Sequence, residues 1–292
     1  EENAVAGLEV RGAAPGSRDT ELLHPVAGAK WINGVTLTGG SVFGLDSSGG
    51  VIRYLEEQGI GIQMGRIRIP LVPSAVIFDL GFINHRVRPG FDDGYAAAKS
   101  ASVEFKTGSV GAGTGATAAK LLGQMFSIKG GIGTASVEVS NGATVGALMV
   151  VNAIGDVVNP DTGETVAGPL TENGFDNSVE LMIKTPSKDT GFFRNTTVGI
   201  VATDAKLDKV GATRLAMAGQ DGIALAIRPA HTANDGDTIF GLSTGTHTEH
   251  TSGDTLHAAA LKAVPEAIMN AIDSAETLGG VLSAKDAKAR FV

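Results

Sequence analysis

The sequence predicts an α+β fold in one domain spanning residues 1–292. Strand-like segments fall in clusters, helical segments fall in others, and no regular strand–helix–strand alternation runs through the chain. With 292 residues, 42% apolar and 18% charged, it can bury a sizeable core. No composition shift, 20–50-residue repeat or linker longer than a turn divides it.

Residues 36–41 read as a strand end turning into a helix over 46–58, where Val51, Ile52 and Leu55 share one face. Residues 74–80 form a buried apolar strand, and 92–105, centred on Ala96-Ala97-Ala98, a second helix. The small-residue run from Gly111 to Lys120 leads into a helix ending near Leu122, followed by strands over 129–140 and 144–152. Residues 153–193 are loop-rich, with Asn159-Pro160-Asp161-Thr162-Gly163 as a turn between short strands. Then come a strand over 197–204, helices over 206–219 and 222–228, and a strand over 238–243. A long amphipathic helix over 255–278 keeps Leu256, Ala260, Val264 and Ile268 in register.

Aromatic residues are 5% of the chain and glycines number 41, so the core must be built from Ala, Val, Ile and Leu with many close backbone approaches. A net charge of −8 without a Lys/Arg cluster argues against nucleic acid as a partner. No run approaches the ~18 apolar residues of a membrane span. The absence of cysteine excludes disulfides, thiolate nucleophiles and Cys-based metal sites, and fits a cytoplasmic location. The histidines lack close-ligand spacing, so neither a metal nor any other cofactor is expected. The chain opens Glu1-Glu2-Asn3 without a methionine, and an upstream segment is expected to be missing.

The most informative stretch is Arg194-Asn195-Thr196-Thr197-Val198-Gly199-Ile200-Val201-Ala202-Thr203-Asp204. Two hydroxyls stand just before an apolar strand, after an expected exposed loop. A threonine freed as a new N-terminus combines a hydroxyl nucleophile with an α-amine that titrates near pH ~7.7–8 and can take the hydroxyl proton. Alone, the run also reads as a capped turn into a strand.

Other constellations stay open on their own residues. Gly111-Ala112-Gly113-Thr114-Gly115 is GxGxG rather than GxGxxG, and Lys120 stands too far along for a phosphate loop. It suits close packing, or a helix N-terminus facing developing negative charge. Asp235 and Asp237 lack the glycine and glutamate positions of a calcium loop. They cap a turn or polarise a nucleophile. Asn152, ending an apolar strand, satisfies a backbone group or donates to an oxyanion.

Taken together, several stretches resemble the self-processing family that includes the β-aminopeptidases, the L-aminopeptidase/D-Ala esterases and the nylon-oligomer hydrolases, peptidase family S58. They are Val10–Gly16 in the run VRGAAPG, LTGGSVFGLD with Gly39 and Gly40, VPSAVIFD with Phe78, the Gly111–Lys120 run with Gly113, KGGIG from Lys129, and DGDTIF from Asp235. Asn195-Thr196 is similar to the nylon-hydrolase branch, which cuts between Asn and Thr, where aminopeptidases have Gly-Ser. Asp235 and Asp237 follow Thr196 at that branch's spacing (235 − 196 = 39 and 237 − 196 = 41), and His231-Thr232 before them also matches. Phe78 departs from it, standing where that branch has a tyrosine.

The resemblance implies a four-layer αββα sandwich of the N-terminal-nucleophile type, with the connectivity of the L-aminopeptidase/D-Ala esterases. It implies autocleavage into an α-chain, 1–195, and a β-chain, 196–292, that stay associated in a homo-oligomer, a tetramer of such pairs. Thr196 would be the nucleophile, Asp235 and Asp237 the groups orienting its hydroxyl and amine, Lys120 an active-site cation and Asn152 an oxyanion donor. Phe78, Gly39, Gly40 and Gly113 would support the substrate pocket. The implied activity is hydrolysis of aliphatic amides such as 6-aminohexanoate oligomers through an acyl-enzyme. Alternatives are a β-aminopeptidase or L-aminopeptidase/D-Ala esterase, an acyltransferase passing the acyl group to an amine, and a non-catalytic ligand-binding module.

Overall fold

A computed structural model describes residues 3–185 and 195–291. The loop expected just before Thr196, including Arg194, lies outside the described residues over 186–194. The elements that position the site are β1 (Val5–Gly12), β2 (Ser17–Arg18), β3 (Thr36–Thr38), α1 (Ser47–Glu57), β4 (Ser74–Val76) and α2 (Phe91–Lys99). They continue with β5 (Ile132–Glu138), β6 (Thr144–Asn152), β7 (Thr196–Thr203), α3 (Lys209–Ala226), β8 (Gly236–Ser243) and α4 (Gly253–Asp273).

The central sheet runs β1-β8-β7-β6-β5. Its neighbours are antiparallel except β7 and β8, which are parallel and joined through α3. Parallel neighbours cannot be linked by a hairpin, so this crossover helix is required. α3 and α4 cover one face, over a core of Val201, Ile239, Ala216, Ile223, Ala260, Val264 and Ile268. A Cβ on Gly241 or Gly133 would run into the backbone of α3 or α4. The helices therefore ride directly on the strands, which explains a glycine- and alanine-rich core with few aromatics.

On the other face, Ala6, Val150, Val198 and Phe240 meet Ala75, Ile77, Ala112 and Ala116. These come from the smaller sheet β2-β4-β3 and the loops beside it. α1 packs on β3 and against α2. The order of layers is thus helix, sheet, sheet, helix, an α+β sandwich of the αββα kind.

Several expected elements differ. No α-helix forms over 111–122: Gly111–Gly113 is a short 3-10 turn, and Thr117–Ala118 pairs as a strand with Ile128–Lys129. Three glycines in five residues cost a helix about 1 kcal/mol each, and Gly111 and Ala119 sit at φ 50° and 57°. The reading of this run as a helix N-terminus aimed at negative charge falls with it. The strand expected over 74–80 stops at Val76, and the helix over 92–105 stops at Lys99. The strand over 129–140 divides into Ile128–Lys129 and β5.

The two helices expected over 206–228 are one, capped at its start by the Asp208 side chain, which accepts the Gly211 N–H at 2.7 Å. Gly222 looked like a break, but it lets α3 approach Val264 of α4. The helix over 255–278 starts at Gly253 and ends at Asp273. A short helix, Ser178–Lys184, lies in the stretch read as loop.

Candidate active site

Three strand ends meet at one end of the central sheet, on its interior strands. β6 ends at Asn152 where antiparallel β7 begins, so Asn152 stands opposite Thr196. β8 starts beside β7 in parallel, and Asn195 bridges to Asp235 just before it. Residues from distant parts of the chain therefore converge because of register, and Asn152, Asn195, Thr196, Asp235 and Asp237 are all buried.

At the Asn195–Thr196 peptide bond, the Thr196 hydroxyl donates to the Asn195 carbonyl oxygen at 2.5 Å. The same oxygen accepts the Gly236 backbone N–H at 3.1 Å, and the Asn195 N–H donates to the Asn234 carbonyl at 3.0 Å. The nucleophile candidate and a backbone donor thus face one carbonyl, the arrangement needed where an oxyanion develops.

Lys120 donates to the Asn152 carbonyl at 2.9 Å and to its side-chain Oδ1 at 2.7 Å. Thr117 N–H also donates to Oδ1, at 3.1 Å. Two donors on that oxygen fix the amide orientation, so Nδ2 points the other way and donates to the Phe78 carbonyl at 3.1 Å. An amide nitrogen carries two hydrogens, which leaves a second N–H for another acceptor. The two aspartates hold backbone amides rather than the Thr196 hydroxyl: Asp237 Oδ1 accepts from the strand N–H of Thr197 at 2.7 Å, and Asp235 Oδ2 from the Thr232 N–H at 2.8 Å.

Electrostatics follow from burial. Loss of solvent pushes the Lys120 ammonium down to about 7, against the opposing pull of Asp235 and Asp79. Burial, helped by the charge of Asp237, pushes the Asp235 carboxyl up to about 6. Between its ordinary 3.8 and about 6 the folded chain holds a proton there that the unfolded chain does not. Stability therefore falls as pH rises through that window, by an amount of order 2–3 kcal/mol. Asp235→Asn keeps an acceptor for Thr232 N–H and removes this cost. It is expected to melt higher than the parent at pH 7 by calorimetry, with an advantage that shrinks toward pH 4. Equal melting at both values would contradict the assignment.

Phe78 lines two clefts: one of about 300 Å³ with Val76, Val42, Leu45 and Thr196, the other of about 450 Å³ with Leu80, Phe82, Lys120 and Asn195. Gly40 N–H donates to Asp79 Oδ1 at 2.7 Å, and a Cβ on Gly39 or Gly115 would collide with that carboxylate. Gly113 offers its carbonyl to the buried Lys129 ammonium. Asp79, Lys129, the His231 ring and the Gly236 amide were not singled out as site residues from sequence. Asp79 and Lys129 belong to the motif runs but carry no diagnostic spacing, and a backbone amide leaves no side-chain signal.

Among the described residues, no group of three or more His, Cys, Asp or Glu could hold a metal ion, and no helix is long and apolar enough to cross a membrane.

A sequence profile described as Peptidase family S58 matches residues 1–285. An uncharacterized aminopeptidase of Mycobacterium leprae is 38% identical over 308 residues, covering 95% of this chain and 81% of the relative. A 6-aminohexanoate-oligomer endohydrolase of Paenarthrobacter ureafaciens is 28% identical, covering 82% of this chain and 66% of its own. The solved L-aminopeptidase D-Ala-esterase/amidase of Ochrobactrum anthropi, an N-terminal-nucleophile hydrolase fold, superposes with a TM-score of 0.69 at 20% identity, covering 99% of this chain and 80% of that one.

Proposed function

Because the chain belongs to peptidase family S58 and is a hydrolase of amide or peptide bonds, we propose that it cuts itself between Asn195 and Thr196. Thr196 then serves as an N-terminal nucleophile on aliphatic amide substrates. The observation that carries this reading is the Thr196 hydroxyl set 2.5 Å from the Asn195 carbonyl oxygen, with Gly236 N–H on the same oxygen.

In maturation, Thr196 Oγ1 attacks the Asn195 carbonyl carbon and gives up its proton. The C–N bond breaks, the nitrogen takes a proton to become the Thr196 amine, and water hydrolyses the resulting ester. In turnover the new amine accepts the hydroxyl proton as Oγ1 attacks a substrate amide. The free N–H of Asn152 supplies an oxyanion donor, and one such donor is worth about 3 kcal/mol in rate. The acyl-enzyme then yields to water.

The two clefts flank the Asn195–Thr196 bond and share Phe78. Phe78, Val42, Leu45 and Val76 in one cleft and Phe78, Leu80 and Phe82 in the other favour aliphatic chains, beside polar groups from Ser17 and Ser41 in the first and Asp79, His85 and Lys120 in the second. This supports oligomeric amides of the 6-aminohexanoate type. The mycobacterial similarity favours a second reading, an aminopeptidase requiring a free amine.

Mass spectrometry of the purified protein, before and after incubation with linear, cyclic and N-acetylated amide oligomers, tests both. The expected result is two fragments divided at 195/196 and cleavage of cyclic and N-acetylated oligomers. Release of single residues from free-amine oligomers only would select the aminopeptidase, and an intact chain would refute self-processing.

A further inference from the structure

His231 sits just outside the catalytic constellation, and both of its ring nitrogens are engaged. Nε2 lies 3.2 Å from the Gln220 carbonyl oxygen. A carbonyl oxygen only accepts, so Nε2 carries a hydrogen. Nδ1 lies 2.8 Å from Asp237 Oδ2. That carboxylate already receives the His231 backbone N–H at 3.2 Å on Oδ2 and the Thr197 N–H at 2.7 Å on Oδ1. Donors on both oxygens favour the ionised carboxyl, and a proton shared between a carboxyl and an imidazole rests on the more basic imidazole, so Nδ1 also donates. An imidazole with hydrogens on both nitrogens is a cation. His231 adopts this pose at φ 59°, a left-handed conformation uncommon for a side-chain-bearing residue.

We propose that His231 is a positioning residue which, as an imidazolium, keeps Asp237 ionised and leaves the mobile proton of the aspartate pair on Asp235. Asp237 in turn holds the Thr197 amide, and so the register of the neighbouring nucleophile. Asp235, facing the field of Lys120, is then the carboxyl that exchanges a proton near neutral pH.

The charges around the ring are consistent with this state. Burial is the largest influence and works against the imidazolium, but the bond to Asp237, the charge of that carboxylate and the Gln220 carbonyl together outweigh it and raise the titration above the ordinary histidine value. Arg11 on β1, paired in register with Asp237, opposes it. That guanidinium is itself bonded to Asp221 of α3 at 2.8 Å and to Glu9 at 3.4 Å, which blunts its effect. Asp235, which titrates at about 6, is largely ionised at pH 7 and adds negative charge beside Asp237. Above the His231 titration, a lone pair would face either the Asp237 carboxylate or the Gln220 carbonyl, and the anchor on Thr197 loosens.

The protonation state can be read without activity, by nitrogen-15 NMR of the histidine rings in the full chain carrying Thr196→Ala. The His231 signals are identified through bonds to their own Cβ. At pH 7 both ring nitrogens should show protonated shifts, with one titration above the ordinary histidine value; a neutral tautomer at pH 7 would overturn the proposal. The positioning role is read from the pH profile of self-cutting, and for that it rests on the proposed function. Wild type should slow above the His231 titration. His231→Gln should lack that alkaline limb and cut about 10- to 100-fold more slowly at pH 7, the usual cost of losing a group that orients a working one. A variant slowed equally at every pH with the limb intact would reduce His231 to packing. If the chain carrying Thr196 never cuts, the proposed function fails while the NMR result still decides the charge on His231.

Discussion

Thr196→Ala is expected to run as a single full-length band of 29.6 kDa on a denaturing gel, where wild type runs as two fragments. Amide hydrolysis should fall by about 10⁴- to 10⁶-fold, the scale seen when a hydrolase loses its nucleophile. Under the proposed function, the substitution removes the hydroxyl that donates to the Asn195 carbonyl oxygen and, after the cut, the atom that would form the acyl ester. It leaves the fold standing. The strand is held by pairing of β7 with β6 and β8 and by the Thr197–Asp237 bond, none of which uses the Thr196 side chain. Circular dichroism should therefore match the parent. Thr196→Ser keeps the hydroxyl and should still divide at 195/196. A Thr196→Ala protein that still splits at the same bond, or that retains hydrolysis, would remove Thr196 from the mechanism.

The sequence was most legible where a periodic apolar pattern coincided with burial. Leu256, Ala260, Val264 and Ile268 lie buried along one side of α4. The strand ending at Asn152 and the one beginning at Thr196 were read to within a residue. Glycine misled in two directions. In the run from Gly111 its backbone freedom produced a turn and a strand, where small residues had suggested a helix. At Gly222 it looked like a break and instead gives α3 room beside α4. Local pattern cannot tell these cases apart, because the deciding neighbours, Ile128–Lys129 for the first and Val264 for the second, lie outside the local run.

The site was legible as a set of residue types and only partly as contacts. Asn152, Thr196, Asp235 and Asp237 do meet, through strand register. The aspartates reach loop and strand amides, however, and Lys120 reaches Asn152, so none of these side chains bonds the Thr196 hydroxyl among the described contacts. Backbone groups complete the arrangement: Gly236 N–H on the Asn195 carbonyl and the Phe78 carbonyl on Asn152. Phe78 contributes a ring between two clefts and a main-chain acceptor, neither of which needs a phenol.

Lys129→Met is expected to have the largest effect of any change away from the Asn195–Thr196 bond. Lys129 is fully buried, and its ammonium donates to the carbonyls of Gly113, Ala116 and Gly130 at 2.8, 2.6 and 2.9 Å. Burial pushes its titration down to about 7, and three carbonyl acceptors match the three hydrogens of the charged form. Methionine fills a similar volume and offers no donor. Gly113 and Ala116 each keep one backbone partner, from Ala116 N–H at 3.3 Å and Gly130 N–H at 2.9 Å. These kept partners, and the relief of a buried charge, bring the loss below the roughly 4.5 kcal/mol low end for three charge-assisted bonds, to about 3 kcal/mol. For a chain of this size that corresponds to a Tm lowered by about 6–12 °C. The functional loss should exceed the thermal one. The same loop carries Thr117, whose N–H fixes Asn152 Oδ1, so a loosened loop frees the Asn152 amide to turn away from the position where it donates. Hydrolysis measured well below the melting transition should then show a reduced kcat with KM little changed. A Lys129→Met protein that melts within about 2 °C of wild type and keeps its kcat would show that the loop holds itself.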